Sequence, residues 1–470
     1  MEMNVAERSA SGVGMAEGFA ASQGTVSINA YRDRPLLQWW LVIVLMLLMM
    51  LGTIDRQIVS LLINPIKEDL GLTDTQISLF YGAAFAIANI AFTLPAGYLA
   101  DRMSRRVMVG VGAVVWSGMT TLCGAASNFL TLMVARAGVG FGEGVIGPGA
   151  MSLLRAALSP ERRGRGFSVF SMSHMAGTAL ALIVGGALIG LVEAKGITRF
   201  PLIGEVASWQ AVLIFVGLLG APLGLLMFTV PEPPHGLRDD EIGEPEAKAG
   251  YGEVLRYMRL RGAVYGPLIM FQAAAGLSAL SFGAWIAAMI GRSYGLSIPQ
   301  IGATLGMMIL VFPAIGLAGT GVLLDKFNAR GGVAAMSAIG IVISLFYWLT
   351  AWTAPLMPSL SFFWTVLAIH MLASGAPPAI GATIMAAITP ARIMGSISAI
   401  QLFIHGLLAA AIGPIIVALI SDNLFSGQHS LAYALSLASF VYGLFAAVML
   451  EMTRRALFRE KAGKAAPAIA

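Results

Sequence analysis

Four strongly ionisable residues lie well inside apolar segments of this 470-residue sequence. They are Asp55, Arg56, Arg136 and Glu143. A charged side chain at the centre of a bilayer costs about 2.5 to 3.5 kcal/mol on insertion scales, so such residues are expected to be functional. A carboxyl group whose arginine partner changes with conformation can bind and release a proton. These residue types therefore suit proton coupling.

Helix geometry indicates which of these charges can meet. Counted from outer helix ends near residues 65 and 129, Asp55 lies about 15 Å deep, Arg136 about 10 Å and Glu143 about 21 Å. We expect Asp55 to pair with Arg136 in one state, and Glu143, on the same helix face as Arg136 but further from an arginine, to favour its protonated form by desolvation. Arg56 points about 100° away from Asp55 and is expected to face substrate or a second acid. A static ion pair that fixes helix packing is the alternative.

The amino-acid composition indicates that the segments containing these charges lie in a membrane. Hydrophobic residues make up 57% of the chain and charged residues only 11%, against roughly 25% charged residues in soluble domains. Apolar runs of about 20 residues, the length that crosses a bilayer, recur along the sequence. They predict an all-α integral membrane protein with twelve spans, numbered 1 to 12 in chain order: 36–65, 76–100, 107–126, 129–156, 166–192, 208–230, 263–291, 297–324, 333–353, 361–388, 396–421 and 431–453.

A polar segment divides the spans into two sets of six. Residues 231–262 are rich in Pro, Gly and acids, and they predict a cytoplasmic linker that ends in a surface helix at about 251–261. The predicted organisation is a cytoplasmic tail at 1–35, a six-helix bundle at 36–230, the linker at 231–262, a second six-helix bundle at 263–455 and a cytoplasmic tail at 456–470.

Charge distribution predicts the orientation. The N-terminal segment lacks the apolar core of a cleavable signal peptide, and an inside N-terminus puts most Lys and Arg on the same side. We therefore expect a multi-pass protein of the cell membrane, such as the bacterial inner membrane, with both termini cytoplasmic. The net charge of +5 then lies beside the inner leaflet and indicates no nucleic-acid partner. Cys123, the single cysteine, is expected to be a small core residue.

Two related motifs connect the spans to a known family. The sequence "GYLADRMSRR" at 97–106 follows span 2, and the weaker "GVLLDKFNARGG" at 321–332 follows span 8, so that Asp101 and Asp325 correspond. The first motif resembles the signature of the major facilitator superfamily, with Ser104 in place of the usual glycine. The resemblance implies two pseudo-symmetric six-helix bundles that give alternating access to a site between them.

The same resemblance implies a gate at the cytoplasmic side. Its residues are Gly97, Asp101, Arg102, Arg105, Arg106 and Asp325. Asp101 would accept hydrogen bonds from the N-terminus of span 11, near Gly395, where the helix dipole is positive. The three arginines would then contact acids near Glu161.

Four segments resemble the Spinster-like branch of the superfamily, which includes lipid transporters and bacterial homologues. They are "DRQIVSLLINPIKEDLGLTDTQISL" at 55–79, "GYLADR" at 97–102, "ARAGVGFGEGVIGPGAMSL" at 135–153 and "GAPPAIGAT" at 375–383. The resemblance implies that Asp55, Arg56 and Glu143 belong to a network that couples protons to the conformational switch. Arg136 is expected to act in the same network.

The substrate is predicted from residues expected to line the cavity. They are Arg56, Tyr81, His174, Gln272, Trp285, His370 and His405. Charges on one wall and apolar residues opposite favour an amphipathic anion, and the lipid-exporting relatives favour a lysophospholipid-like or sphingoid substrate. The alternative is a proton symporter of a small organic acid, with Arg56 or Arg136 binding the carboxylate.

Other classes of protein are less expected. An enzyme would need a nucleophile with a base, a metal cluster or a Gly-rich phosphate loop, and the sequence has no such local motif. A receptor on the same fold would bind ligand without flux. We expect a monomer that uses the proton gradient as its energy source and needs no cofactor or metal. Its partners would be protons, the lipid bilayer and a small-molecule or lipid substrate.

Overall fold

The computed structural model describes residues 34–100, 102–200, 203–233 and 251–463. Twelve helices in these residues are long and apolar enough to cross a membrane, which confirms the predicted number. They are numbered as above and run Pro35–Leu70, Asp74–Ala100, Arg105–Gly124, Phe129–Ala157, Glu161–Lys195, Ser208–Thr229, Gly262–Tyr294, Ile298–Gly332, Ala335–Leu356, Leu360–Ile388, Arg392–Asn423 and Ser430–Glu460. Spans 1 to 6 form the first half and spans 7 to 12 the second.

Several spans are longer than the apolar pattern predicts. Residues 325–331, predicted to connect spans 8 and 9, continue the helix of span 8. This segment contains no proline, and its first glycine is Gly331. The helix is interrupted at Gly332, whose φ of 65° lies in the left-handed region.

Spans 4 and 10 are broken at corresponding places. Span 4 consists of Phe129–Gly144 and Ile146–Ala157, and span 10 of Leu360–Ala373 and Ala376–Ile388. Pro148 has no N–H for the carbonyl of Gly144, four residues before it. That carbonyl instead accepts a hydrogen bond from the Thr93 hydroxyl of span 2, at 3.2 Å.

Spans 2 and 11 each contain a π-helical turn, at Leu79–Ala84 and Leu407–Ile412. The two turns pack on each other across the halves, and Gly82 lies so close to the Ala410 carbonyl oxygen that a Cβ at this position would collide with it. Such single-turn bulges re-aim side chains within a helix and are frequent at functional sites.

Small residues also join spans 5 and 8. Gly186 lies against Gly302, and a Cβ on Gly186 would lie 3.2 Å from the Gly302 Cα. Gly190, one turn later, lies against Pro299. The "GGALIG" segment therefore packs tightly across the two halves, as small residues spaced four apart allow.

Shorter elements complete the fold. A two-stranded hairpin, Arg199–Phe200 with Gly204–Glu205, lies between spans 5 and 6. The helix Tyr251–Leu260 precedes span 7, and its Glu253 pairs with Arg392 at the start of span 11. Residues 1–33, 234–250 and 464–470 lie outside the described residues, and they include most of the predicted N-terminal tail and about half each of the linker and of the C-terminal tail.

Candidate functional site

Asp55 and Arg136 form an ion pair with almost no access to water. Arg136 Nη1 lies 3.3 Å from Asp55 Oδ2, and the side chains are 3% and 0% exposed. Asp55 Oδ1 and Arg136 Nε have no hydrogen-bond partner among the described residues. We call these two residues the sealed pair. Because neither charge is solvated, each depends on the other.

Arg56 and Glu143 form a second pair. Arg56 Nη1 lies 3.3 Å from Glu143 Oε2, but here the arginine side chain is 31% exposed and the glutamate 8%. The expectation that Glu143 lies further from an arginine than Asp55 does is therefore wrong, whereas Arg56 faces a second acid, which is one of the two alternatives expected for it. Gly52 leaves room for the Glu143 carboxyl, since a Cβ there would lie 3.4 Å from its carbon. We call Arg56 and Glu143 the open pair.

One aromatic ring lies between the two pairs. Phe85 directly follows the π-helical turn of span 2, and its ring centre is 5.2 Å from the Arg136 guanidinium carbon and 5.5 Å from that of Arg56. Phe80 covers Arg136 from within the same turn, at 5.6 Å. The turn therefore sets two aromatic rings against Arg136, and one of them also contacts Arg56.

The open pair faces a recess of about 240 Å³ in the first half. Spans 1, 2, 3 and 4 line it, and its polar side chains come from Arg56, Asn89, Thr93, Trp116 and Glu143. We call it the charged recess. An anion that enters it meets the exposed guanidinium of Arg56.

The second half has a recess of about 380 Å³ between spans 7, 9, 10 and 11. Gln272 and His405, both predicted from the sequence, line it together with Gln401, which the sequence analysis missed. Gln401 is one helical turn from His405, a spacing that could have found it. Gln401 donates a hydrogen bond to Gln272 Oε1, and His405 Nδ1 lies 3.3 Å from the Gln272 carbonyl oxygen. We call it the amide recess.

Two predicted cavity residues lie elsewhere. Trp285 is 1% exposed and donates to the Pro414 carbonyl at 3.0 Å, so it joins spans 7 and 11. His370 is 4% exposed and stacks between Tyr347 and Phe282, with ring centres 4.7 Å and 4.6 Å away. Both residues pack between helices here, and a backbone carbonyl lies at a ring nitrogen of each.

The other two predicted residues come from the first half. Tyr81 is partly buried within the π-helical turn, and its hydroxyl donates to Gln57 Oε1 at 3.3 Å. His174 is exposed on span 5. Neither residue lines the charged recess or the amide recess as described here.

Comparison with known proteins assigns the family. The sequence matches the family described as Major Facilitator Superfamily over residues 45–414. The chain belongs to this superfamily. This facilitator is therefore a multi-pass membrane transporter and not an enzyme.

Individual relatives agree on the fold. The facilitator is 26% identical to an MFS-type efflux pump of Mycolicibacterium smegmatis over 302 residues, 64% of this chain and 66% of the pump. It is 23% identical to the probable L-galactonate transporter of Escherichia coli over 418 residues, 86% of each chain. A bacterial homologue of the human lysosomal transporter Spinster, solved inward-facing and unoccupied, aligns with a TM-score of 0.79, 23% identity and coverage of 93% of this chain and 100% of that one. The predicted resemblance to Spinster is confirmed.

The halves of the facilitator are joined at one end by a charged cluster that the sequence analysis missed. The Asp74 carboxylate, 1% exposed as a residue, accepts hydrogen bonds from Lys67 at 2.6 Å, from Arg292 at 2.8 and 2.9 Å and from Ser421 at 3.0 Å. Asp422 of span 11 accepts from the Thr75 N–H at 2.8 Å. We call these residues the outer cluster and the end that contains them the outer end. Both recesses lie on the inner side of this cluster.

The motif after span 2 lies at the opposite, inner end. Asp101 lies outside the described residues. Arg102 stacks on Tyr98, with its guanidinium carbon 3.9 Å from the ring centre. Asp325, in the second copy of the motif, is exposed on span 8, and Gly97 has open space beside its Cα.

Glu232 is the acid that two of the motif arginines contact. Its carboxylate accepts from Arg105 Nε at 3.0 Å and from the Arg106 backbone N–H at 2.9 Å. Ser104 donates to the same carboxylate at 2.8 Å, which gives a role to the serine that replaces the usual glycine. The arginines were expected to contact acids near Glu161, and Glu232 was not predicted because residue 232 lies in the segment predicted to be the linker.

Proposed function

We propose that this facilitator is a proton symporter of an organic acid that works by alternating access. The observation that carries the proposal is the open pair, in which one arginine of the charged recess is shared between a buried carboxylate and the open space. In this proposal Glu143 and Arg56 bind the proton and the anion, and the Asp55–Arg136 pair beside them holds span 1 against span 4. No cofactor is needed, since the proton gradient supplies the energy, and the protein works as a monomer.

At the open pair, proton binding and anion binding are positively coupled. When Glu143 is protonated it no longer neutralises Arg56, and the guanidinium can bind the substrate carboxylate through two parallel hydrogen bonds. Conversely, an anion that occupies Arg56 removes the partner of Glu143, and the desolvated carboxyl then favours its protonated form. Each ligand therefore strengthens the binding of the other, as linkage requires, and the two cross together.

The outer cluster supports an inward-open assignment of this conformation. It closes the path on one side, and both recesses lie on the other side. In the proposed orientation the inner end and both termini face the cytoplasm of a cell whose plasma membrane holds the protein, because most Lys and Arg lie at that end. The motif arginines and Asp101 would hold the inner end closed in the opposite state.

A lipid-like anion is the second candidate substrate. Leu402, 65% exposed, lies on the amide recess and offers an apolar surface to a lysophospholipid-like or sphingoid chain. The small organic acid is favoured because the two recesses are of small-molecule size, about 240 and 380 Å³, and carry amide and charged groups. A relative named for L-galactonate, which is a sugar acid, supports the same class.

The proposal is tested in proteoliposomes that contain a pH-sensitive dye. Small organic acids and lysophospholipids are added in separate panels under an inward proton gradient. We expect acidification with the organic acids and none with Glu143→Gln, which mimics a permanently protonated carboxyl. This variant should still exchange labelled substrate across the membrane, because its Arg56 stays available.

The matched control is Glu451→Gln. Glu451 also pairs with arginines on its own and neighbouring turns, at 2.7 Å from Arg454 and Arg455, but it lies on span 12 and lines neither recess as described. Liposomes that contain this variant should acidify at the wild-type rate. Acidification by Glu143→Gln at the wild-type rate would overturn the proposal.

A further inference from the structure

The amide recess contains a buried amide with an unused polar atom. Gln272 is 5% exposed as a residue, and its Oε1 accepts from the Gln401 amide. Its Nε2 has no hydrogen-bond partner among the described residues. Leaving a buried polar group unpaired costs roughly 1 to 3 kcal/mol, so a ligand in the recess that gives the Gln272 amide a partner would relieve that cost.

Two glycines make room for the polar side chains of the recess. A Cβ on Gly381 of span 10 would collide with the Gln272 amide, and a Cβ on Gly276 of span 7 would collide with the His405 ring. Neither glycine has a positive φ, so backbone conformation does not require it. Glycine at these two positions therefore leaves the space that the Gln272 and His405 side chains occupy.

The amide recess offers a ligand uncharged polar side chains. Gln272, Gln401, Ser374 and His405 line it, and no Asp, Glu, Lys or Arg does so among the described residues. Amide groups both donate and accept hydrogen bonds, and so does a hydroxyl group. An alkyl chain would leave the Gln272 amide unpaired, whereas hydroxyl groups would satisfy it.

We propose that Gln272, Gln401 and His405 form a hydroxyl-binding subsite, and that the substrate is a polyhydroxylated carboxylic acid whose carboxylate binds Arg56. The inference rests on the proposed symport function and names the substrate class of the same cavity. The π-helical turns of spans 2 and 11 support it, because the turns contact each other across the halves, Phe85 beside Arg56 follows the first turn, and His405 lies two residues before the second. A molecule that binds Arg56 and this subsite together would extend from one recess to the other between the halves.

Calorimetric titration of the purified protein tests the subsite with two acids. D-Gluconate has a hydroxyl group on every carbon beyond the carboxylate, and hexanoate has the same carbon chain without hydroxyl groups. Direct binding avoids the passive entry of hexanoate into liposomes. We expect the wild type to bind gluconate at least tenfold more tightly than hexanoate, the factor that one or two lost hydrogen bonds to a buried amide would give.

Gln272→Met and Gln401→Met, which keep the side-chain length, should each weaken gluconate binding about tenfold and leave hexanoate binding unchanged. The control is Gln300→Met, an exposed glutamine at the outer end of span 8 that should change neither affinity. Using two variants means that the test still stands if one of them misfolds. Size-exclusion profiles show whether each variant is folded.

Equal affinity for the two acids, or equal loss of both in the variants, would overturn the subsite. The symport proposal would survive that result if the dye experiment still responded to acids through Glu143. Binding of neither acid together with a silent dye experiment would overturn both proposals. Binding of lysophospholipids alone would also exclude the hydroxylated acid.

Discussion

Spans 1 and 4 are joined by two ion pairs that are alike in chemistry and distance but differ in their access to water. The sealed pair and the open pair both have a nitrogen 3.3 Å from a carboxylate oxygen. In the sealed pair the arginine is 3% exposed, and in the open pair it is 31% exposed. Water and substrate can therefore replace the partner of Arg56, but not the partner of Arg136.

The contrast begins with two neighbouring residues. Asp55 and Arg56 point about 100° apart around the helix axis, so one of them turns towards the interior of the first half and the other towards the charged recess. Phe85 lies against both arginines and covers Arg136 on the recess side. A single helix thus supplies a fixed contact and an exchangeable one. The expectation is that loss of the first mainly affects folding and loss of the second mainly affects transport.

Arg136→Leu should give the largest effect. It leaves the Asp55 charge buried without a partner, which costs about 3 to 5 kcal/mol. We expect a large fall in the temperature at which the protein loses its size-exclusion peak after heating in detergent. Arg56→Leu, the matched change in the open pair, should cost less, because Glu143 lies beside an open recess and can take up a proton from it when its partner is lost.

The double variant Asp55→Leu, Arg136→Leu sharpens this comparison. Replacing both partners with apolar side chains removes the unpaired charge, so most of the lost stability should return. Equal losses from Arg136→Leu and Arg56→Leu would end the distinction between the two pairs. A double variant no more stable than Arg136→Leu would show that the charges themselves are required for folding.

The comparison between the sealed pair and the open pair also depends on the outer cluster. This cluster keeps the outer ends together, so that the charged recess opens to one side only. Asp74→Asn removes a carboxylate that binds both halves, and hydrogen bonds to a charged group contribute about 1.5 to 3 kcal/mol each. We expect the outer ends to separate in at least tenfold more of the molecules. Spin labels on Ser127→Cys and Ser426→Cys, in a Cys123→Ala background, measure that distance.

Asp69→Asn is the control for the outer cluster. Asp69 lies at the end of span 1, close in sequence to Asp74, but its carboxylate accepts from Trp209 of the first half at 2.9 Å. Its loss should leave the distance between the labels unchanged. An unchanged distance in Asp74→Asn as well would mean that packing of spans 5 and 8, rather than the charged cluster, holds the outer ends together.

The sequence predicts the features that follow from the length of apolar runs and from the energetic cost of placing a charge within them. Twelve spans can be counted because each needs a long apolar run, and the four buried charges stand out because charges within such runs are rare. The distance of Glu143 from an arginine was predicted wrongly for a geometric reason. Depth along a helix compares backbone positions, whereas the long arginine side chain of Arg56 reaches inward past its own turn.

Other features depend on contacts that spacing cannot reveal. Asp74 and Arg292 are 218 residues apart, and nothing near either residue indicates the other. His370 and Trp285 look like cavity residues because a polar atom within an apolar span is unusual. The structure satisfies both with backbone carbonyls, which a sequence pattern does not show.

Arg56→Lys is the smallest change and separates charge from geometry in the open pair. Lysine keeps the positive charge, so Glu143 retains a partner and proton coupling should persist. It loses the planar fork that binds a carboxylate through two parallel hydrogen bonds. We expect a KM for the organic acid about tenfold higher, which corresponds to about 1.4 kcal/mol, with little change in maximal rate. An unchanged KM in counterflow measurements would place the substrate carboxylate away from Arg56, and the open pair would then serve proton coupling alone.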